Sequence, residues 1–400
     1  MLFRADNAGN VHRRHDTAAS GREEAAILGA DSLDAAPPGP SLAEDIATRI
    51  RADGGWWPFD RFMAAALYTP GRGYYSGGAQ ILGQRPEDGS DFVTAPELSP
   101  AFGATLGRQV ALALQATGTH TVLELGAGSG ALAEQILEAA GDTVRRYDIL
   151  DLSGSLQARQ RQRLARFGER VRWLHAWPDA VAGVVVGNEV LDALPVQLLH
   201  WDGRQWFERG VGVDAECAFV WADRPTPLRP PVEGPDAHFV PGSTVEIQPQ
   251  ARAWVASLAA RLQRGLAIFI DYGFPQAEYY HPQRTGGTLM CHRGHRADTD
   301  PLVDVGRKDI TSHVDFTAVA LAAQDAGLEV LGYTSQARFL LNAGILDLLH
   351  GAGPAALSRV QMLINEHEMG ELFKVIAFGR DVPAGWVLPG LSAGDRSHTL

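Results

Sequence analysis

Cysteine is almost absent from the 400 residues. Cys217 and Cys291 cannot build a disulfide framework, which points to a reducing compartment. Lysine is as scarce, with only Lys308 and Lys374, so arginine carries nearly all the positive charge. That skew reads as coding bias of a bacterial kind rather than as function. An excess of positive charge is also missing: the net charge of −12 argues against a general binder of nucleic acid or anionic membranes. No apolar run approaches the roughly 20 residues needed to span a bilayer, and no internal repeat is visible. What is plentiful is core material. At 45% hydrophobic, the chain can bury one large domain with an elaboration, or two coupled ones.

Residues 1–40, rich in Ala, Gly, Asp, Arg and Pro and ending in AAPPGP, read as a flexible leader. Asp6, Asp16, Glu23 and Glu24 count against a transit peptide there. Residues 41–115 read as an N-terminal helical segment, opened by Ser41 as a cap with Glu44 three residues on. It includes a turn-rich loop with Tyr74 and Tyr75, and a loop carrying Thr94 and Pro96 that could fold over a cofactor. Residues 116–380 alternate strand and helix, which implies a parallel sheet with right-handed crossovers. Seven strands are expected, from TVLEL, YDILD, VRWLHA, AGVVVGN, LAIFIDYG, LEVLGYT and FKVIAFG. An insertion at about 196–245 carries a β-hairpin signal around Asp202-Gly203. Residues 381–400, rich in Gly, Pro and Ser, read as a flexible tail.

The stretch that organises the chain is TVLELGAGSG, a buried strand running into Gly126, Gly128 and Gly130 and then into a helix. Glycines let the backbone approach a ligand, and the helix start offers free N–H groups. Glu124, near the strand end, suits a cationic or hydroxyl-bearing ligand better than a pyrophosphate. The G-x-G-x-G spacing with an upstream acid resembles the first motif of S-adenosylmethionine-dependent methyltransferases, rather than the G-x-G-x-x-G of dinucleotide enzymes. Asp151, closing the second strand, can bind ribose hydroxyls in either class or cap the helix near Ser153.

Ligands of open α/β sheets bind beyond the carboxyl ends of the strands. The fourth strand ends in GNEVLDALP, bringing Asn188, Glu189 and Asp192 together, the two acids three apart and expected on one helical face. The fifth ends in Asp271-Tyr272. Trp177 follows the third strand, where an adenine would lie or a tryptophan could simply pack. The CHRGH stretch brings Cys291, His292 and His295 close together, with His281 and His313 elsewhere in the chain. Its spacing is too compressed for an ordinary structural zinc site, so no metal is expected. His292, His295 and His313, with Asp271 and Tyr272, are read as substrate-facing.

Long stretches carry a more specific resemblance: GYYSGG, DFVTAPELSPAFG, VLELGAGSGALAEQIL, GNEVLDALPV, IDYGFPQAEYYHPQRTGGTLMCHRGH and DITSHVDF. They resemble the MidA-like methyltransferases, from roughly Leu42 to Arg380. Two departures are Asp151, where relatives commonly carry Glu, and VDVGRKDIT, which lacks a proline-glycine turn. The resemblance implies a class I methyltransferase fold of the doubly wound, seven-stranded α/β type, with S-adenosylmethionine as cofactor. It further implies a protein arginine acceptor, since the mitochondrial member dimethylates an arginine and assists respiratory complex I assembly. A respiratory-complex subunit is therefore a candidate partner, and the location is bacterial cytoplasm or, alternatively, mitochondrial matrix. On this reading Glu189 and Asp192, with Asn188, are the catalytic candidates: paired carboxylates localise guanidinium charge and receive its proton. A non-catalytic assembly chaperone and a nicotinamide-dependent oxidoreductase stay open as other classes.

Overall fold

The computed structural model describes residues 40–77 and 93–400. The expected leader falls outside the described residues apart from Pro40, as does part of the loop ahead of Thr94.

The glycine strand sits in the middle of a large, mostly parallel sheet. Its strands are β1 (Thr121–Leu125), β2 (Arg146–Leu150), β3 (Val171–Leu174), β4 (Val181–Asn188), β5 (Leu262–Phe274), β6 (Glu329–Ser335) and β7 (Phe373–Arg380). They run in the order β6-β7-β5-β4-β1-β2-β3. The five from β3 to β5 are mutually parallel, and β7 lies antiparallel between β5 and β6. An eighth strand, Val314–Asp315, pairs with the end of β5. The central strands are near-continuous apolar runs because helices cover both faces. In β4, Val184, Val185 and Val186 are all fully buried. On one face the helices Pro100–Thr117 and Ala131–Ala140 pack closely, since a Cβ at Gly103 or Gly107 would collide with Gln135 or Ala139.

Three expectations are corrected. The hairpin insertion is part of a five-stranded antiparallel sheet, in which Gln197–Trp201, Trp206–Val213, Phe219–Pro225 and Thr244–Ile247 join Trp56–Pro58 from the N-terminal segment. Trp57, Phe59, Phe62 and Met63 share one buried cluster with Val196, Leu198 and Val211, so segment and insertion form a common second core. The boundary near residue 115 falls inside the helix Pro100–Thr117, whose apolar face belongs to the central core.

The tail after Arg380 is also packed. Leu388 and Leu391 are buried in the central core, Gln109 accepts from the Gly390 amide at 2.8 Å, and Arg396 pairs with Glu371.

Candidate active site

At the carboxyl end of the sheet, β1 turns into helix Ala131–Ala140 through Gly126, Gly128 and Gly130, with φ of 62°, 54° and 83°. That left-handed run is open to glycine without strain. Glu124 is buried beneath it, and its one hydrogen-bonding partner among the described residues is the Tyr147 hydroxyl, which donates at 2.9 Å. Burial pushes the Glu124 carboxyl up to about 8, the Tyr147 bond opposing and the Asp151 charge adding. A buried carboxylate with no cation beside it is costly. The glycine cradle and this carboxyl therefore fit a ligand bearing an ammonium.

Asp151 lies at the edge of the same cleft, raised by burial, and accepts from the Ser153 amide at 2.9 Å and Gln160 Nε2 at 2.8 Å. Helix Gly154–Arg163 is capped by the Ser153 hydroxyl rather than by Asp151. Trp177, edge-on to Trp254 at 5.4 Å, and the exposed Leu152 add apolar walls. The cleft has a volume of about 400 Å³. Thr94 and Pro96 flank Gly126 and Gly128. Gln135 holds their segment down by donating to the Pro96 carbonyl at 2.8 Å, and Arg163 bridges Glu97 and Ser129.

A second chamber of about 340 Å³ adjoins the cleft, and Gly126, Glu189 and Tyr75 line both. Asn188, Asp192, Tyr272, His292, His313 and Asp309 line the chamber alone. Glu189 is half-buried at φ 54°, a left-handed conformation unusual for a side-chain-bearing residue. Burial first, then the Asp192 charge, raises its carboxyl to about 8; bonds from Asn188 and the Ala95 amide act against this. Burial raises Asp192 to about 6, against the Tyr272 hydroxyl that donates to it. His313 lies flat against Phe274 at 5.1 Å, and burial with the Arg284 charge lowers it to about 4. Its ring is therefore neutral near pH 7.

The expected helical face for Glu189 and Asp192 does not form: both sit in a turn after β4. Asp271 is buried and does not line the chamber. Its Oδ2 accepts from the amides of Val190, Leu191 and Asp192 at 3.0, 2.8 and 3.3 Å, and its Oδ1 from that of Tyr272 at 3.0 Å. It organises the turn that presents Glu189. His295 is also misassigned: it is exposed at φ 59° in the tight turn between strands Met290–Arg293 and Arg296–Asp298. Cys291 points the other way from His292, into the second core. Sequence reasoning missed Asp309, whose carboxylate accepts from the Tyr75 hydroxyl at 2.9 and 3.0 Å. The signal was present, since Asp309 opens the DITSHVDF stretch and Tyr75 lies in GYYSGG.

A parallel sheet with a glycine cradle, a buried acid beneath it and an acid after the second strand is the arrangement of a nucleoside-cofactor enzyme, and comparison with known proteins makes it an S-adenosylmethionine-dependent methyltransferase. A family profile described as "Putative S-adenosyl-L-methionine-dependent methyltransferase" matches residues 105–334, and the chain belongs to that family. A crystal structure from Burkholderia thailandensis, bound to S-adenosyl-homocysteine, is 52% identical, with TM-score 0.84 over 90% of this chain and 96% of that one. Among curated relatives, protein arginine methyltransferase NDUFAF7, mitochondrial, of Danio rerio is 29% identical over 84% of this chain and 86% of its own. The Homo sapiens protein of that name is 28% identical over 79% and 78%. The cofactor is S-adenosylmethionine.

Proposed function

We propose that this chain methylates arginine side chains of a protein. One observation carries the reading. Among the described residues, Asn188 Oδ1 and Asp192 Oδ1 are buried acceptor atoms without a partner, and both residues line the chamber. The two tyrosine hydroxyls of the chamber are already engaged, Tyr75 with Asp309 and Tyr272 with Asp192. Unpaired buried acceptors call for a donor-rich guest, and guanidinium brings five N–H groups and a charge that the carboxylates of Glu189, Asp192 and Asp309 would balance. Among the described residues no lysine or arginine lines the chamber to compete.

S-adenosylmethionine, when bound, supplies an electrophilic methyl on a sulfonium. Glu124 would hold its ammonium, Asp151 its ribose, and Trp177 its adenine. Glu189, at the boundary of cleft and chamber, orients the acceptor nitrogen and takes its proton, while Asp192 and Asp309 hold the far side of the guanidinium. A carboxyl raised by burial is suited to accept a proton near neutral pH. The names of the mitochondrial relatives support a protein acceptor, with a respiratory-complex subunit as one candidate and a cytoplasmic or matrix location for the reaction.

The test is labelled S-adenosylmethionine added to proteins from a strain lacking the enzyme, with labelled sites located by mass spectrometry. Methylarginine is expected. Label on another residue overturns the acceptor assignment, and no labelled protein favours a chaperone that retains the cofactor fold.

A further inference from the structure

The methyl group must leave the cofactor cleft and enter the chamber where the two cavities meet, and among the described residues three line both: Gly126, Glu189 and Tyr75. The first offers backbone and the second a carboxylate. The third offers an aromatic ring held in place from several sides. Tyr75 stacks on Tyr68 at 5.7 Å with an interplanar angle of 19°, and Tyr74 packs edge-on at 5.1 Å. Tyr68 is fixed in turn by its hydroxyl, which donates to the Ala193 carbonyl at 2.8 Å. The Tyr75 hydroxyl donates to the Asp309 carboxylate, and such a bond enriches the electron density of the ring.

We infer that Tyr75 reads the charge on sulfur: its ring, tethered by Tyr68 and Asp309, favours the sulfonium of S-adenosylmethionine over the neutral thioether of S-adenosylhomocysteine. An aromatic face attracts a cation within about 6 Å of its centroid, and a thioether has no charge to attract. Methyl transfer breaks the S–CH3 bond, forms the bond to the acceptor and returns the electron pair to sulfur, so the attraction ends when the reaction does. Tyr75 thereby helps load substrate cofactor and release the product, which is a specificity role. The inference rests on the cofactor and not on the identity of the acceptor.

Titration calorimetry on the full chain tests it without any methyl acceptor. Wild type should bind S-adenosylmethionine more tightly than S-adenosylhomocysteine. Tyr75→Leu should weaken the former by about 3- to 30-fold and the latter by less than about twofold. Tyr75→Phe keeps the ring and should keep most of the preference. Equal losses for both ligands would make Tyr75 an uncharged wall and overturn the inference. So would equal affinities in wild type, a comparison that needs no variant to fold. Failure to methylate arginine would refute the proposed acceptor and leave these outcomes untouched.

Discussion

Binding of S-adenosylhomocysteine should release a proton from Glu124. This product is neutral at sulfur but keeps its ammonium, so its binding places a cation at the glycine-turn end of the cleft. Burial holds the Glu124 carboxyl at about 8, with the Tyr147 hydroxyl bond lowering it and the Asp151 charge raising it. At pH 7 about 0.9 of the molecules therefore carry the proton. An ammonium placed against the carboxylate returns its pKa toward the ordinary range near 4.5, and the proton leaves. The sign follows from linkage: a released proton makes binding tighten as pH rises, from the bound pKa up to the free one. Between pH 6 and pH 7 the affinity should grow about ninefold, the ratio of the two protonated fractions' penalties. Calorimetry in buffers of different ionisation enthalpy reads the proton directly, as a slope of about 0.9 at pH 7. Glu124→Gln should flatten both the slope and the pH dependence. Glu189, also raised to about 8, is separated by repeating the titration with Glu189→Gln, which should leave most of the slope in place. A wild-type slope near zero, or a slope that survives Glu124→Gln, would refute the assignment of Glu124 to the ammonium.

Gly128 stands at φ 54°, so Gly128→Val adds strain of about 1–2 kcal/mol and places a side chain on the cradle. S-adenosylhomocysteine binding should vanish by calorimetry while circular dichroism still shows a folded sheet. Glu189→Gln preserves shape and removes the base. Turnover should fall by about 10²–10⁴-fold with affinity for S-adenosylhomocysteine at pH 8 changed by less than about threefold, as read by labelled-methyl transfer and calorimetry. Leu391→Ala should cost about 2–4 kcal/mol in urea unfolding because the tail is part of the core; a neutral result would return it to a loose end.

The cofactor half was legible because each of its parts is local. A buried parallel strand is a continuous apolar run, the turn is three glycines at fixed spacing, and the acids at the ends of β1 and β2 follow from strand length alone. The acceptor half was only partly legible. Glu189 and Asp192 read as helical because their spacing allows it, but the segment is a turn, three of whose amides donate to Asp271 some eighty residues later. His292 and His295 looked like one group, yet strand alternation and the sharp turn at Gly294-His295 send one to the chamber and the other to solvent. The tail looked loose because its glycines and prolines outnumber the two leucines that anchor it. The turn after β4 and the tail are settled by contacts distant in sequence, the two histidines by a local hairpin.

That contrast says where specificity lies in the molecule. Tyr75 comes from the N-terminal segment, Thr94 from the covering loop, Glu189 and Asp192 from the turn after β4, and Asp309 from a strand beside His292. The buried cluster that unites the N-terminal helices with the inserted sheet also holds Cys291 and Ile310, neighbours in sequence of His292 and Asp309. The second core therefore positions the chamber wall, while the central sheet positions the cofactor cleft. Glu189 belongs to the sheet by its chain position and to the chamber by its reach, and Asp271 holds it in its strained conformation between them. Changes in the second core can thus retune which acceptor enters without disturbing the glycine cradle. A change at Asp271 disturbs the meeting point itself.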